Sequence, residues 1–211
     1  LFSLRTILWY PPGNYATKLC VLYEKVFLRY DKTRIQTTGE SAMNQAERRL
    51  YLIHTLLSER PSCRRQEIPK DAARQRVLLR GLMNVRPAKQ ISPEFLSVQD
   101  EYLRQELSEA GVTHVEDLQP VSSELYLWQG DITKLACDAI VNAANSGMTG
   151  CYVPNHACID NCIHTYAGVQ LRLDCAEIME KQGHEEPTGQ AKLTRAYNLP
   201  CSFVLHTVGP I

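Results

Sequence analysis

The chain lacks net charge: its 211 residues carry 23 Lys+Arg against 23 Asp+Glu. That balance argues against a protein whose main task is gripping nucleic acid or an anionic membrane. It does not exclude a phosphate-bearing small ligand, which backbone N–H groups alone can hold. Long apolar runs are also missing. No stretch approaches the roughly 18–20 uncharged apolar residues of a membrane span. The hydrophobic start, LFSLRTILWYPPG, is broken by Arg5 and lacks the basic-apolar-small layout of a secretory signal. A cytoplasmic protein, with neither nucleic acid nor membrane as partner, is the expectation. There is no internal repeat and no low-complexity tract. No methionine precedes Met43, and residues 1–42 have no sustained periodicity. That segment is left unassigned. Translated upstream sequence, with Met43 as the natural start, is one expectation; a genuine extension from a non-Met start at Leu1 is the other.

What is present is ordinary in bulk, with 44% apolar and 22% charged residues. The length suits one sizeable core, or a core with a small appended domain. Residues 43–121 read as helical. In NQAERRLYLIHTLLSER, Ala46, Leu50, Ile53 and Leu57 recur at three and four, and Pro61 follows. DAARQRVLLRGLMNV starts at a capping Asp71 and stops before Pro87. SPEFLSVQDEYLRQELSEAG has Ser92 as N-cap, Pro93 at the first helical position and Gly111 as terminator. Its face is Leu96, Val98, Tyr102, Leu103 and Leu107. His54 and His114 read as solvated or packing residues.

From 122 to 211 the period changes. ELYLWQGDIT alternates like a strand running into a turn. Ala139–Val141 in CDAIVNAAN is a short apolar run suited to a strand covered on both faces. A helical stretch, IDNCIHTYAGVQLRLDCAEIMEKQG, breaks near Gly168, and GQAKLTRAYNLP and CSFVLHTVGPI read as two further strands. Strands alternating with helices predict an α/β layer fold with ligands at the strands' carboxyl ends. About four strands is thin for a covered mixed sheet, so a C-terminal truncation is expected.

Eight cysteines are present, and five of them fall within the 39 residues from Cys137 to Cys175. That is not the evenly spread framework of a secreted disulfide scaffold. GCYVPNHACIDNCIH, from Gly150 to His164, holds three cysteines and two histidines. Thiolate and imidazole are preferred zinc ligands. Cys151, His156 and Cys158 would sit on a loop bent by Pro154, because residues two apart cannot share a helix face. Cys162 is the candidate fourth ligand; without it, three ligands and an open position describe a catalytic site. Two rivals stand beside the metal: small buried residues, and a Cys158–Cys162 redox pair that lacks C-x-x-C spacing. Upstream, Asn142 and Asn145 offer amides at a strand end, GDI offers a carboxylate in a turn, and Asp160 falls in a first helical turn.

GDIT, DAIVNAANS, CIHTYAG, GQAKLTRAYNLP and HTVGP, in that order, resemble the macrodomain family of ADP-ribose binders and hydrolases. The Cys/His loop after NAAN, and the helical stretch before it, look like the zinc-dependent microbial class of protein-ADP-ribosyl hydrolases. The resemblance covers Met43 to Ile211. It implies a three-layer α/β/α macrodomain with a mixed sheet, incomplete here, preceded by an α-helical extension. It implies zinc on Cys151, His156 and Cys158, with Cys162 and His164 turned to helix packing. Asp131 would bind the adenine amino group and Ile132 would contact the ligand through its backbone. Asn145 would orient the distal ribose, and Asp160 stands where the family's catalytic aspartate stands. The implied function is zinc-dependent removal of ADP-ribose from modified protein side chains, with the ADP-ribosylated protein and ADP-ribose as partners. An ADP-ribose reader without turnover and an inactive zinc-binding fragment are the alternatives.

Overall fold

The computed structural model describes residues 6–8, 43–60, 66–122 and 125–210. Three helices lie between residues 45 and 110, two of them begun by the cap that the sequence predicts. Helix α1 (Gln45–Ser58) starts at a capping box: the Asn44 side chain accepts from Ala46 and Glu47 N–H, and the Glu47 carboxylate accepts from Asn44 N–H. Helix α2 (Ala72–Val85) is capped by Asp71, and α3 (Pro93–Ala110) by Ser92 with Pro93 in its first turn. Gly111, with φ of 84°, ends α3 in a backbone region that side chains other than glycine disfavour. Pro61 lies outside the described residues.

The buried face of α1 keeps Ile53 and Leu57 of the predicted stripe but not the whole of it. Ala46 is exposed and Leu50 half-buried, while Leu52, Ile53, Leu56 and Leu57 are buried. The reason is that α1 packs against both α2 and α3, so its apolar arc covers adjacent positions rather than a single ridge. On α3 the buried set is Phe95, Gln99, Tyr102 and Leu103; Leu96, Val98 and Leu107 stand at its half-buried border. Leu52, Ile53, Leu56 and Leu57 of α1, Leu79, Leu82 and Met83 of α2, and Phe95, Tyr102 and Leu103 of α3 form one apolar cluster. His54 and His114 are exposed.

The strands follow. A parallel pair joins β2 (Thr113–His114) to β5 (Leu135–Ala136). A second sheet has the order β1-β4-β3, from Thr6–Leu8, Leu125–Leu127 and Pro120–Ser122. The main sheet has the order β6-β8-β7: β6 (Ala139–Ala144) runs parallel to β8 (Phe203–Val208), and β7 (Ala191–Arg195) antiparallel to it. Two helices, α4 (Ile159–Ala167) and α5 (Val169–Gln182), separate at Gly168 and pack on β6 and β7. The result is an α/β fold with mixed sheets and helices. A second apolar cluster lies between these layers, with Ile140 and Val204 from the sheet and Ile163 and Leu171 from the helices.

Among the described residues, helices cover one face of the main sheet. Val141 is 39% exposed and Leu193 45% exposed on the other. The expectation that β6 is covered on both faces is thus corrected: Ile140 and Asn142 are buried, and Val141 and Ala143 are exposed. No described helix is long and apolar enough to cross a membrane.

Candidate active site

Strand β6 ends at Ala144, and the chain then makes a loop that re-enters the fold at α4. The loop is bent as its residues require. Asn155 follows Pro154 with φ of 55°, and His156 N–H closes the turn on Val153 O at 3.3 Å. Gly150 has φ of 85°, and a Cβ there would stand 2.7 Å from Cγ of His164, so only glycine fits.

The loop brings Cys151, His156 and Cys158 together, one ligand atom of each within 4.8 Å of the others. Cys151 Sγ and His156 Nδ1 are 3.6 Å apart. A tetrahedral zinc ion with ordinary Zn–S and Zn–N bonds sets that separation at about 3.5 Å. His156 is exposed and the two cysteines half-buried, so the trio opens to solvent on one side. Cys158 is also the N-cap of α4, and its Sγ accepts the Asn161 N–H at 3.4 Å. Without a cation, burial pushes the Cys158 thiol up to about 11, with Cys151 beside it opposing a second negative charge. Two thiols and an imidazole at this spacing fit zinc. Cys162 lies outside the trio, half-buried, with its Sγ 3.5 Å from Arg80 Nη2.

Two residues beyond Cys158, Asp160 is buried. Its Oδ1 accepts from Asn142 Nδ2 at 2.8 Å, and its Oδ2 from Asn145 Nδ2 at 3.3 Å. Burial pushes the Asp160 carboxyl up, against the opposing pull of Asn142, the Arg172 charge and Asn145. Asn145 is exposed at the end of β6, and its Oδ1 accepts the Gly147 N–H. Asn142 donates as well to Nδ1 of His206, its register partner on β8, at 3.0 Å. An amide NH₂ can only donate, so His206 carries its proton on Nε2 and gives it to Thr194 Oγ1 at 2.9 Å.

Asp131 is exposed and caps a 3-10 turn, Ile132–Lys134, that packs against α4. Its Oδ1 accepts from the N–H and hydroxyl of Thr133. The Ile132 side chain is buried in the second apolar cluster. His164 is buried in α4, 5.7 Å from the His206 ring between centroids. With Cys175 these two histidines form another cluster of ligand-type atoms. It does not make a metal centre as it stands, because both ring nitrogens of His206 are already engaged.

Residues 141–211 match the Macro domain family. The chain is 60% identical over 173 residues to a protein-ADP-ribose hydrolase of Treponema medium, covering 80% of this chain and 66% of that protein. It is 49% identical over 172 residues to one from Staphylococcus aureus (strain MRSA252), covering 81% of this chain and 64% of the relative. It thus spans just under two thirds of either relative's length. Among solved structures, a Trypanosoma brucei macrodomain in complex with ADP is 30% identical, covering 64% of this chain and 60% of that one, with a TM-score of 0.43.

Several residues of the macrodomain's site were not singled out by sequence reasoning. Asn161 donates to Cys151 O and Val153 O, and Arg172 to Thr149 O and Cys151 O. Asn84 and Arg80 reach the loop from α2. The one available signal was an arginine set among apolar residues in VQLRLDC.

Proposed function

We propose that this macrodomain hydrolyses the bond between ADP-ribose and a modified protein side chain, in the cytoplasm, with zinc held by Cys151, His156 and Cys158. The hydrolase names of the relatives in Treponema medium and Staphylococcus aureus support this reading. The observation that carries it is the placement of Asp160: a buried carboxylate, two residues past Cys158, held by two amides at the carboxyl end of β6. A pure binder has no need of an acid there.

Asn142 fixes Oδ1 of Asp160 with the shorter hydrogen bond, which leaves Oδ2 to take a proton. Burial raises the affinity of that carboxylate for the proton, as a general base near neutral pH requires. Asn145 holds the distal ribose in line for attack. Asp131 receives the adenine amino group, and the Ile132 backbone contacts the neighbouring part of the ligand. Zinc, when bound, supplies Lewis acidity toward oxygen at a coordination position that the three side chains leave open.

The test is release of ADP-ribose from a modified acceptor protein. Asn145→Ala and Cys158→Ala each abolish release. Unchanged turnover in Cys158→Ala would remove the metal from the reading. ADP-ribose affinity without release by the unaltered chain would make it a reader.

A further inference from the structure

The loop from Cys151 to His156 has little apolar burial to hold it: residues 152–157 are all exposed. A loop of this kind keeps one conformation only through its backbone hydrogen bonds. Part of those bonds come from the helical segment. Arg80 Nη2 donates to His156 O at 2.7 Å and to Asn161 Oδ1 at 3.1 Å. Asn84, buried one turn further along α2, accepts the Asn155 N–H at 2.9 Å through Oδ1 and donates to Thr165 Oγ1 of α4 at 2.7 Å. Between them Gly81 lets α2 approach: a Cβ there would lie 3.1 Å from Asn155 Nδ2 and 3.8 Å from Pro154 Cβ. Residues 80, 81 and 84 share one face of a helix.

The end of α2 is tied to the same loop a second time. Buried Arg172 of α5 donates to the Asn84 and Arg86 carbonyls at 2.6 Å each, and to Thr149 O at 2.8 Å. Its guanidinium lies 4.2 Å from the centre of the Tyr152 ring. One side chain therefore satisfies the unpaired carbonyls at the end of α2 and fixes the backbone on which Cys151 sits.

We infer that α2 is a positioning element of the Cys151–His156–Cys158 centre, with Arg80 and Asn84 setting the backbone from which His156 meets the two thiols. The inference rests on the proposed metal reading and deepens it: the helical segment is then part of the site. Arg80 and Asn84 touch no ligand atom of the trio. They act through the carbonyl of His156 and the amide beside it.

The probe is Zn²⁺ binding by the full chain, read by competition with a chromophoric chelator, together with the visible spectrum of the Co²⁺-loaded protein. The unaltered chain binds one ion, and Co²⁺ shows thiolate charge-transfer bands. Partners of this kind outside the ligand set typically hold about 10- to 100-fold in metal affinity. Arg80→Ala weakens Zn²⁺ by that order and shifts the Co²⁺ bands, while Arg80→Lys, which keeps one donor, recovers part of both. Val77→Ala, at an exposed position of the same helix, leaves both unchanged. Asn84→Ala removes a buried bridge between elements, so Arg80, half-buried, carries the test if that variant fails to fold. Wild-type affinity and spectrum in Arg80→Ala would overturn the inference alone. No ion bound by the unaltered chain would overturn it together with the metal reading.

Discussion

Helices α1–α3 enclose Leu52, Ile53, Leu56, Leu79 and Phe95, apolar side chains that ask nothing of their surroundings but exclusion of water. The layers around β6 and β8 bury Asn142, Asp160, Asn161, His164 and His206 beside their apolar cluster. Each of those groups loses its hydration and must find a partner or stay neutral. Asn142 serves two partners at once; Asp160 accepts from two amides. One region buries mostly apolar side chains; the other buries a hydrogen-bonded polar group in which, among the described residues, Asn142 Oδ1 and both His164 ring nitrogens have no hydrogen-bond partner. The second arrangement is the costlier to assemble, and it is the one beside the Cys/His loop.

The comparison breaks most directly at Phe95. It is fully buried in the helical cluster and has no polar role. Phe95→Ala is expected to cost about 3–5 kcal/mol, as truncations of buried aromatics do. Chemical denaturation read by far-UV circular dichroism measures it. If the two regions unfold as one, the whole transition moves; if the bundle stands apart, a separate early phase appears.

Two helix starts were legible because capping is local: Asp71 and Ser92 each bond an N–H three residues away. The cysteine–histidine loop was legible for the same reason, its three side chains lying within eight residues. The buried arc of α1 was not, because it depends on two neighbouring helices. The exposure of Val141 depends on what stacks against β6, which a strand's own residues do not record. Arg172 was hidden by distance: its partners at the end of α2 lie 86 to 89 residues away along the chain. Local chemistry shows in a sequence; long-range hydrogen bonds do not.

A second experiment sharpens the polar side of the comparison through pH. Burial lowers His206 to about 4, so it stays neutral in the fold at pH values where the unfolded imidazole already binds a proton. The sign follows from linkage. The stability is fully present above about 6.5 and is lost as pH falls toward about 4, because the unfolded state takes up the proton first. The loss over that window is roughly 3 kcal/mol at most for this group. His164, lowered by burial beside the Arg172 charge, adds in the same direction. His206→Gln should flatten the slope of stability against pH between 6.5 and 4. A slope identical to that of the unaltered chain would place the acid sensitivity elsewhere.

The smallest effect tests whether the bundle's stability can be altered without touching the site. Asn44 caps α1 from an exposed position, and its contacts are with the helix start alone. Asn44→Ala removes one side-chain acceptor and should cost about 1 kcal/mol. It leaves the face of α2 that meets the loop untouched, so Zn²⁺ affinity and ADP-ribose release should stay at their unaltered values while the melting temperature falls by a few degrees. A metal affinity that fell with stability would mean that the loop responds to the bundle as a whole. An unchanged affinity assigns the coupling to the α2 face itself, through Arg80 and Asn84.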